Sequence, residues 1–122
     1  MNVENLLSLL KETTYRNADV SLMLSAAKSF TRNYTTNSIS SIPCVDKKGN
    51  HYNLINDPQV EVRLTTDSKK RTTLYFDTLQ LDGDYLIGCR SRFIPSLKKR
   101  IRTAEITKVE IHNSGKKYKY TS

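Results

Sequence analysis

Apolar and polar positions along this chain follow two different periods. At the start, Val3, Leu6, Leu7 and Leu10 recur at helical spacing, with Asn2 placed to cap them and the poor helix formers Thr13, Thr14 and Tyr15 beyond Glu12. The pattern predicts a short helix that depends on tertiary packing. The next segment carries both periods at once. If Asp19 caps a helix, Met23, Ala26, Ala27 and Phe30 share a face, whereas Val20, Leu22, Leu24 and Ala26 alternate as a strand would. The alanines favour a second helix. Residues 31–43, rich in Thr, Ser and Asn and ending at Pro43, predict a loop that joins a helical part (1–40) to a β-rich part (42–120).

From Ile42 onward the period is two. Ile42 to Val45 and His51 to Leu54 flank the turn sequence Asp46-Lys47-Lys48-Gly49-Asn50. Asp57-Pro58 makes a break, and Val60, Val62 and Leu64 then alternate with Glu61, Arg63 and Thr65 as a half-buried strand. After the polar Asp67-Ser68-Lys69-Lys70, a β-rich run extends from Thr72 to Leu81, with Leu74 and Phe76 on one face. Asp82-Gly83 predicts a two-residue hairpin turn that sends Asp84 to Cys89 back as the return strand. Residues 90–103 are basic and interrupted by Pro95. Ala104 to Ile111 reads as a strand with Val109 and Ile111 on one side. Asn113-Ser114-Gly115 is a turn, and Lys116 to Tyr120 is a short strand or a frayed tail. The expected fold class is α+β, mainly β: one or two N-terminal helices, then a five- to six-stranded antiparallel meander forming a small barrel or roll, all in a single domain over 1–122.

Length and composition fit one folded domain, because 122 residues can bury a core without staples. Charge sharpens the picture more. Residues 1–59 hold 6 Lys/Arg against 5 Asp/Glu, and residues 60–122 hold 14 against 7, so almost all of the formal +8 lies in the second half. Such a half favours anionic partners and also keeps a small protein in solution. Cys44 and Cys89 are too few for a disulfide framework and are expected to be unpaired thiols. No apolar run approaches the length of a membrane-spanning helix, and the first residues lack the basic start of a signal peptide, so the chain reads as soluble and untargeted. Asn33-Tyr34-Thr35 fits a glycosylation acceptor, which matters only in a eukaryotic secretory pathway.

One feature of the chain stands above background as candidate chemistry. There is no nucleophile elbow, and the seven-residue spacing of Cys44 and His51 across a turn is better explained by a buried thiol near a turn histidine. Cys44, His51, Cys89 and His112 lack the close paired spacing of structural zinc, and Asp77, Asp82 and Asp84 read as turn acids rather than a calcium loop. Glycine-rich phosphate loops are absent, so an enzyme, a cofactor or a nameable small-molecule ligand is not expected. The feature is the basic run. Arg90, Arg92, Lys98, Lys99, Arg100 and Arg102 fall within residues 90–102, which contain no acid, and Phe93 sits among them. Guanidinium groups there would suit phosphates and an exposed Phe93 could stack a base. Lys116, Lys117 and Lys119, interleaved with Tyr118 and Tyr120, would extend the surface. Equally, Phe93, Ile94 and Ile101 could be core residues with the charges on the solvated side.

The stretch from Val60-Glu61-Val62-Arg63-Leu64 through Leu74-Tyr75-Phe76-Asp77 and Leu81-Asp82-Gly83-Asp84-Tyr85-Leu86-Ile87-Gly88 to Ile106-Thr107-Lys108-Val109-Glu110-Ile111 resembles the small β domains of uncharacterised bacterial envelope and lipoprotein-type proteins. The resemblance implies a non-catalytic domain in an envelope setting. The order of elements also resembles the Sm-like small barrels, which implies a helix on a bent barrel and RNA-binding rings. The leading expectation is therefore a non-catalytic β-rich domain with a structural or interaction role, through a protein partner or self-association. The alternative is a nucleic-acid-binding small barrel that takes RNA or single-stranded DNA on segment 90–102.

Overall fold

A computed structural model of the chain describes residues 1–25, 28–90, 97–113 and 119–120, with side chains described outside 18–34 and 119–120. Helix α1 (Val3–Glu12) has the predicted bounds. The Asn2 side chain accepts from the Asn5 backbone N–H at 2.7 Å, which satisfies one of the open donors of the first turn. Leu6 and Leu10 are buried from this face, and α1 lies against strands met later in the chain, β7 and β10 (ranges below). Burying each leucine contributes about 1.5–3 kcal/mol, which is what holds so short a helix in place.

The expected second helix is not formed. The chain instead forms two antiparallel strands, β1 (Tyr15–Ser25) and β2 (Lys28–Asn37), with Tyr15 opposite Asn37 and Met23 opposite Ser29. The strand period of Val20, Leu22 and Leu24 prevails over the two alanines. The β-branched and aromatic residues Phe30, expected on the helix, and Thr31, Tyr34, Thr35 and Thr36, expected in a loop, lie on the partner strand. The hairpin is tied at its base. Tyr15 Oη donates to the Leu10 carbonyl at 3.2 Å and accepts from the Leu81 N–H at 3.4 Å, and the Ser38 N–H donates to the Thr14 carbonyl at 3.0 Å.

Strands β3 (Ser41–Val45) and β4 (His51–Ile55) pair around the predicted Asp46–Asn50 turn, in which Gly49 has φ +86°. Asp46 Oδ1 accepts from the backbone N–H of Lys48 and of Asn50. The Asn50 backbone N–H, with help from its side-chain amide and from Lys48, holds the Asp46 carboxyl below the usual carboxylate range. Strand β5 (Val60–Thr66) buries alternate residues as its sequence predicts, and pairs with β6 (Arg71–Tyr75) across a turn in which Lys69 takes φ +66°.

The expected run from Thr72 to Leu81 is broken. A 3₁₀ turn at Phe76–Thr78 carries the chain out of one sheet and into β7 (Gln80–Asp82) of another. The hairpin from β7 to β8 (Tyr85–Cys89) pairs Asp82 with Tyr85, so its two loop residues are Gly83 and Asp84, one position later than expected. Positive φ is confined to Gly83, at +60°, which is the pattern of a type II′ turn with glycine at the first central position. Strand β9 (Lys98–Arg102) completes this sheet in the order β7-β8-β9. After a 3₁₀ turn at Thr103–Glu105, β10 (Ile106–Asn113) returns to pair with β5, and β11 (Lys119–Tyr120) pairs with β10, giving the order β11-β10-β5-β6. The molecule is thus mainly β with one helix and antiparallel strands. The strands fall into four small sheets, and among the described residues they neither close into a barrel nor run as one meander.

One core is shared by α1 and the sheets other than β1–β2. It contains Leu6 and Leu10 of α1, Ile42 and Cys44 of β3, Val62 and Leu64 of β5, Leu74, Phe76, Leu79, Leu86 and Ile101, and Ile106, Val109 and Ile111 of β10. Ile106 and Val109 both face inward despite odd spacing, because a bulge between Ile106 and Lys108 resets the register. Gly88 lies under two of these residues. A Cβ there would stand 2.8 Å from Leu74 Cδ1, 2.9 Å from Leu79 Cδ2 and 3.3 Å from Leu74 Cβ. Both leucines are buried on all sides, so Gly88→Ala should cost about 1–3 kcal/mol, read as a lower urea midpoint at unchanged slope. A neutral Gly88→Ala would mean that the contact between β8 and the Leu74–Leu79 layer is looser than the geometry requires.

Candidate functional site

The basic run is divided by the fold. Lys98, Arg100 and Arg102 are alternate residues of β9 and so project to one side, while Ile101 between them is buried in the core. On that same side the paired positions of β8 are Cys89, Ile87 and Tyr85, all half-buried. The outer face of β8–β9 is therefore a row of three cations beside an aromatic and aliphatic stripe. Lys99 lies on the opposite parity of β9 and is exposed. Arg90 is exposed just past the end of β8, with its backbone N–H donating to the Leu97 carbonyl at 3.4 Å. Arg92, Phe93, Lys116 and Lys117 lie outside the described residues. Lys119 is on β11, at the opposite edge of the four-stranded sheet from β6.

Tyr85 organises the row. The Arg100 guanidinium stacks 4.2 Å above its ring and that of Arg102 stands 5.5 Å away, while Arg102 Nη2 donates to Tyr85 Oη at 3.1 Å. Arg100 also lies 3.6 Å from the Asp82 carboxylate, an exposed pair of little energetic weight. The stacking fixes two guanidinium planes without covering their outer faces, so they remain able to meet phosphate oxygens or a further planar group. Sequence reasoning passed over Tyr85, which reads as an ordinary strand residue after the hairpin turn. Its signal was the parity it shares with the positions facing Arg100 and Arg102.

Beside β9 runs an open groove of about 340 Å³. One wall is Lys99, Arg100, Ile101 and Arg102, the other is Thr66, Ser68, Lys70 and Thr72 of the β5–β6 hairpin, and Tyr85 and Glu105 complete the lining. Lys70 is a cation that the sequence placed in a separate turn, and the pairing of β5 with β6 carries it to the same groove. Four cations in one cleft reinforce one another's field at its floor. A second open depression, of about 430 Å³, against Asp84, Tyr85, Arg102, Thr103 and Ala104 continues the surface past the end of β9.

The other candidates separate. Cys44 is buried and its thiol faces the Ile42 carbonyl at 3.5 Å, whereas its neighbour in the hairpin, His51, is exposed. Both cysteines are free thiols. Asp77 is buried, Asp82 answers Arg100, and Asp84 is exposed in the turn, so the three acids do not converge. No helix among the described residues is long and apolar enough to cross a membrane. No family model, curated protein or solved structure matches the chain.

Proposed function

We propose that this protein is a non-catalytic binding module that holds single-stranded nucleic acid on the outer face of β8–β9. The observation that carries the reading is the alignment of Lys98, Arg100 and Arg102 on one side of a strand beside Tyr85. Alternate strand residues lie about 6.6–6.8 Å apart, so the three cations form an evenly spaced rail for an extended phosphodiester chain. The guanidinium planes held on Tyr85 supply platforms on which bases can stack, a mode of contact that is tolerant of sequence.

Neutralising part of the rail gives the test. Binding of labelled oligonucleotide should follow salt with a slope of about −0.7 for each phosphate contact on a single strand. Arg100→Ala with Arg102→Ala should therefore weaken binding and reduce the slope by about 1.4. Tyr85→Ala should weaken binding by about 1–3 kcal/mol, because both arginine platforms on which bases stack lose their positioning. An unchanged affinity and slope in the double variant would remove the basis of the reading.

A second reading is favoured by a different observation. Strand β9 ends its sheet, so among the described residues its outer edge has no strand partner. An acidic segment of another protein could add there as a further strand, with its carboxylates against Lys98, Arg100 and Arg102. That is the interaction-module reading, and the envelope setting implied by the resemblance over residues 60–111 belongs to it. Competition between an acidic peptide and oligonucleotide would separate the two.

A further inference from the structure

The groove beside β9 contains one feature that a simple phosphate cleft would not have. Among Lys70, Lys99, Arg100 and Arg102 stands a single carboxylate, Glu105. It is exposed, and among the described residues no ion pair or side-chain hydrogen bond engages it despite the surrounding cations. Its backbone is fixed in place. The Asp67 N–H donates to the Glu105 carbonyl at 2.9 Å, which pins the Thr103–Glu105 turn to the β5–β6 turn that carries Lys70. A carboxylate at this place in the lining weakens the groove for phosphate alone, so its chemistry calls for a donor on the ligand.

Building on the nucleic-acid reading, we infer that the groove holds one nucleotide of the bound strand and that Glu105 selects its base. The volume of about 340 Å³ falls in the range of small-ligand sites, roughly 300–1,000 Å³. The phosphate meets Lys70 and Lys99, and the base lies toward the Tyr85 end. On a single strand the Watson–Crick edge is open to side chains. Guanine presents two parallel donors on that edge, N1–H and the exocyclic amine, which match the two oxygens of a carboxylate. Cytosine presents one amine donor beside an acceptor. Thymine and uracil flank their single N–H with two carbonyl oxygens, which a carboxylate repels. The predicted order is guanine, then cytosine, then thymine or uracil.

The test compares a labelled oligothymidylate with the same oligomer carrying one central guanine, against the intact chain and Glu105→Gln. The intact protein should bind the guanine-containing oligomer about tenfold more tightly, the usual scale for a good two-point base contact. Glu105→Gln removes a charge and so raises affinity for the oligothymidylate, but it also removes the guanine contact, so the ratio between the two oligomers should fall toward one. That ratio is a readout that general electrostatics does not move. Equal binding of the two oligomers by the intact protein, or a preference that survives in Glu105→Gln, overturns the selection while leaving the nucleic-acid reading in place. Binding of neither oligomer overturns both.

Discussion

Arg63→Met should lower the unfolding free energy by about 3 kcal/mol, toward the low end of what breaking a buried ion pair costs. Arg63 and Glu110 are register partners on β5 and β10, on the face of the sheet opposite Val62, Leu64, Val109 and Ile111. The guanidinium grips the carboxylate at two points, Nε to Oε1 at 3.2 Å and Nη2 to Oε2 at 2.9 Å. The exposures are unequal, 25% for the arginine side chain and 3% for the glutamate. Removing the arginine therefore strands a carboxylate that water cannot reach, and it is this desolvated charge rather than the lost attraction that sets the cost. Replacing both residues, Arg63→Met with Glu110→Met, should recover most of the loss, because no charge is then left buried. Urea unfolding of the two single variants and the double variant measures the coupling directly. A double variant as unstable as the sum of the singles would mean that the two side chains act independently.

Asn37→Leu should cost about 3 kcal/mol, for a related reason without a charge. Asn37 is 2% exposed at the end of β2. Its Nδ2 donates to the carbonyls of Phe76 at 2.9 Å and Leu79 at 3.2 Å, the two ends of the 3₁₀ turn where the chain changes sheets. Its Oδ1 accepts from Asn56 Nδ2 at 3.0 Å, and Asn56 Nδ2 also donates to the Ile39 carbonyl at 2.7 Å. Leucine fills the volume but takes the side-chain donor from both buried carbonyls, of which Phe76's keeps the Leu79 N–H at 3.1 Å, and a buried polar group left unpaired costs about 1–3 kcal/mol. Asn37→Asp should be worse near neutral pH, since a carboxylate would then face two carbonyl oxygens. Its deficit should shrink as the pH is lowered and the new carboxyl becomes a donor. Thermal unfolding of both variants at neutral and acidic pH checks this, and an Asn37→Asp protein no less stable than the parent would contradict the network.

How much of this was legible in the sequence depends on how far apart the interacting residues lie. Helix α1 was legible because its cap and its apolar face lie within twelve residues. Strands β5 and β10 were legible because alternation of Val60, Val62, Leu64, Val109 and Ile111 is a local record of burial. The hairpin of β1 and β2 was misread because residues 19–30 satisfy both periods, and only the pairing of Asp19 through Met23 with Asn33 through Ser29 resolves which one holds. The split of Thr72 to Leu81 between two sheets was invisible for the same reason. It depends on Asn37, thirty-nine residues away from the carbonyl it holds. The barrel was an inference from strand count, and strand count does not fix which strands pair.

The site shows the same limit. The cations of β9 were legible as a run, but their sharing of one side required the strand, and the burial of Ile101 required the core behind it. Tyr85, Lys70 and Glu105 carried no local signal, since hairpin pairing and the contact between two turns are what bring them to the groove. Lys119, which the sequence grouped with the run, belongs to the other sheet.

Fluorescence polarisation across a salt series asks whether the face of β8–β9 binds single strands through a rail of phosphate contacts. Labelled single-stranded RNA, single-stranded DNA and duplex DNA would each be titrated with the intact chain at several salt concentrations. Binding of the single strands should persist at physiological salt, exceed binding of the duplex, and fall with a slope of about −2 from the three rail contacts. Binding that is absent, or that vanishes as salt approaches the physiological level, would contradict it and leave the charge of β9 as a solvated edge.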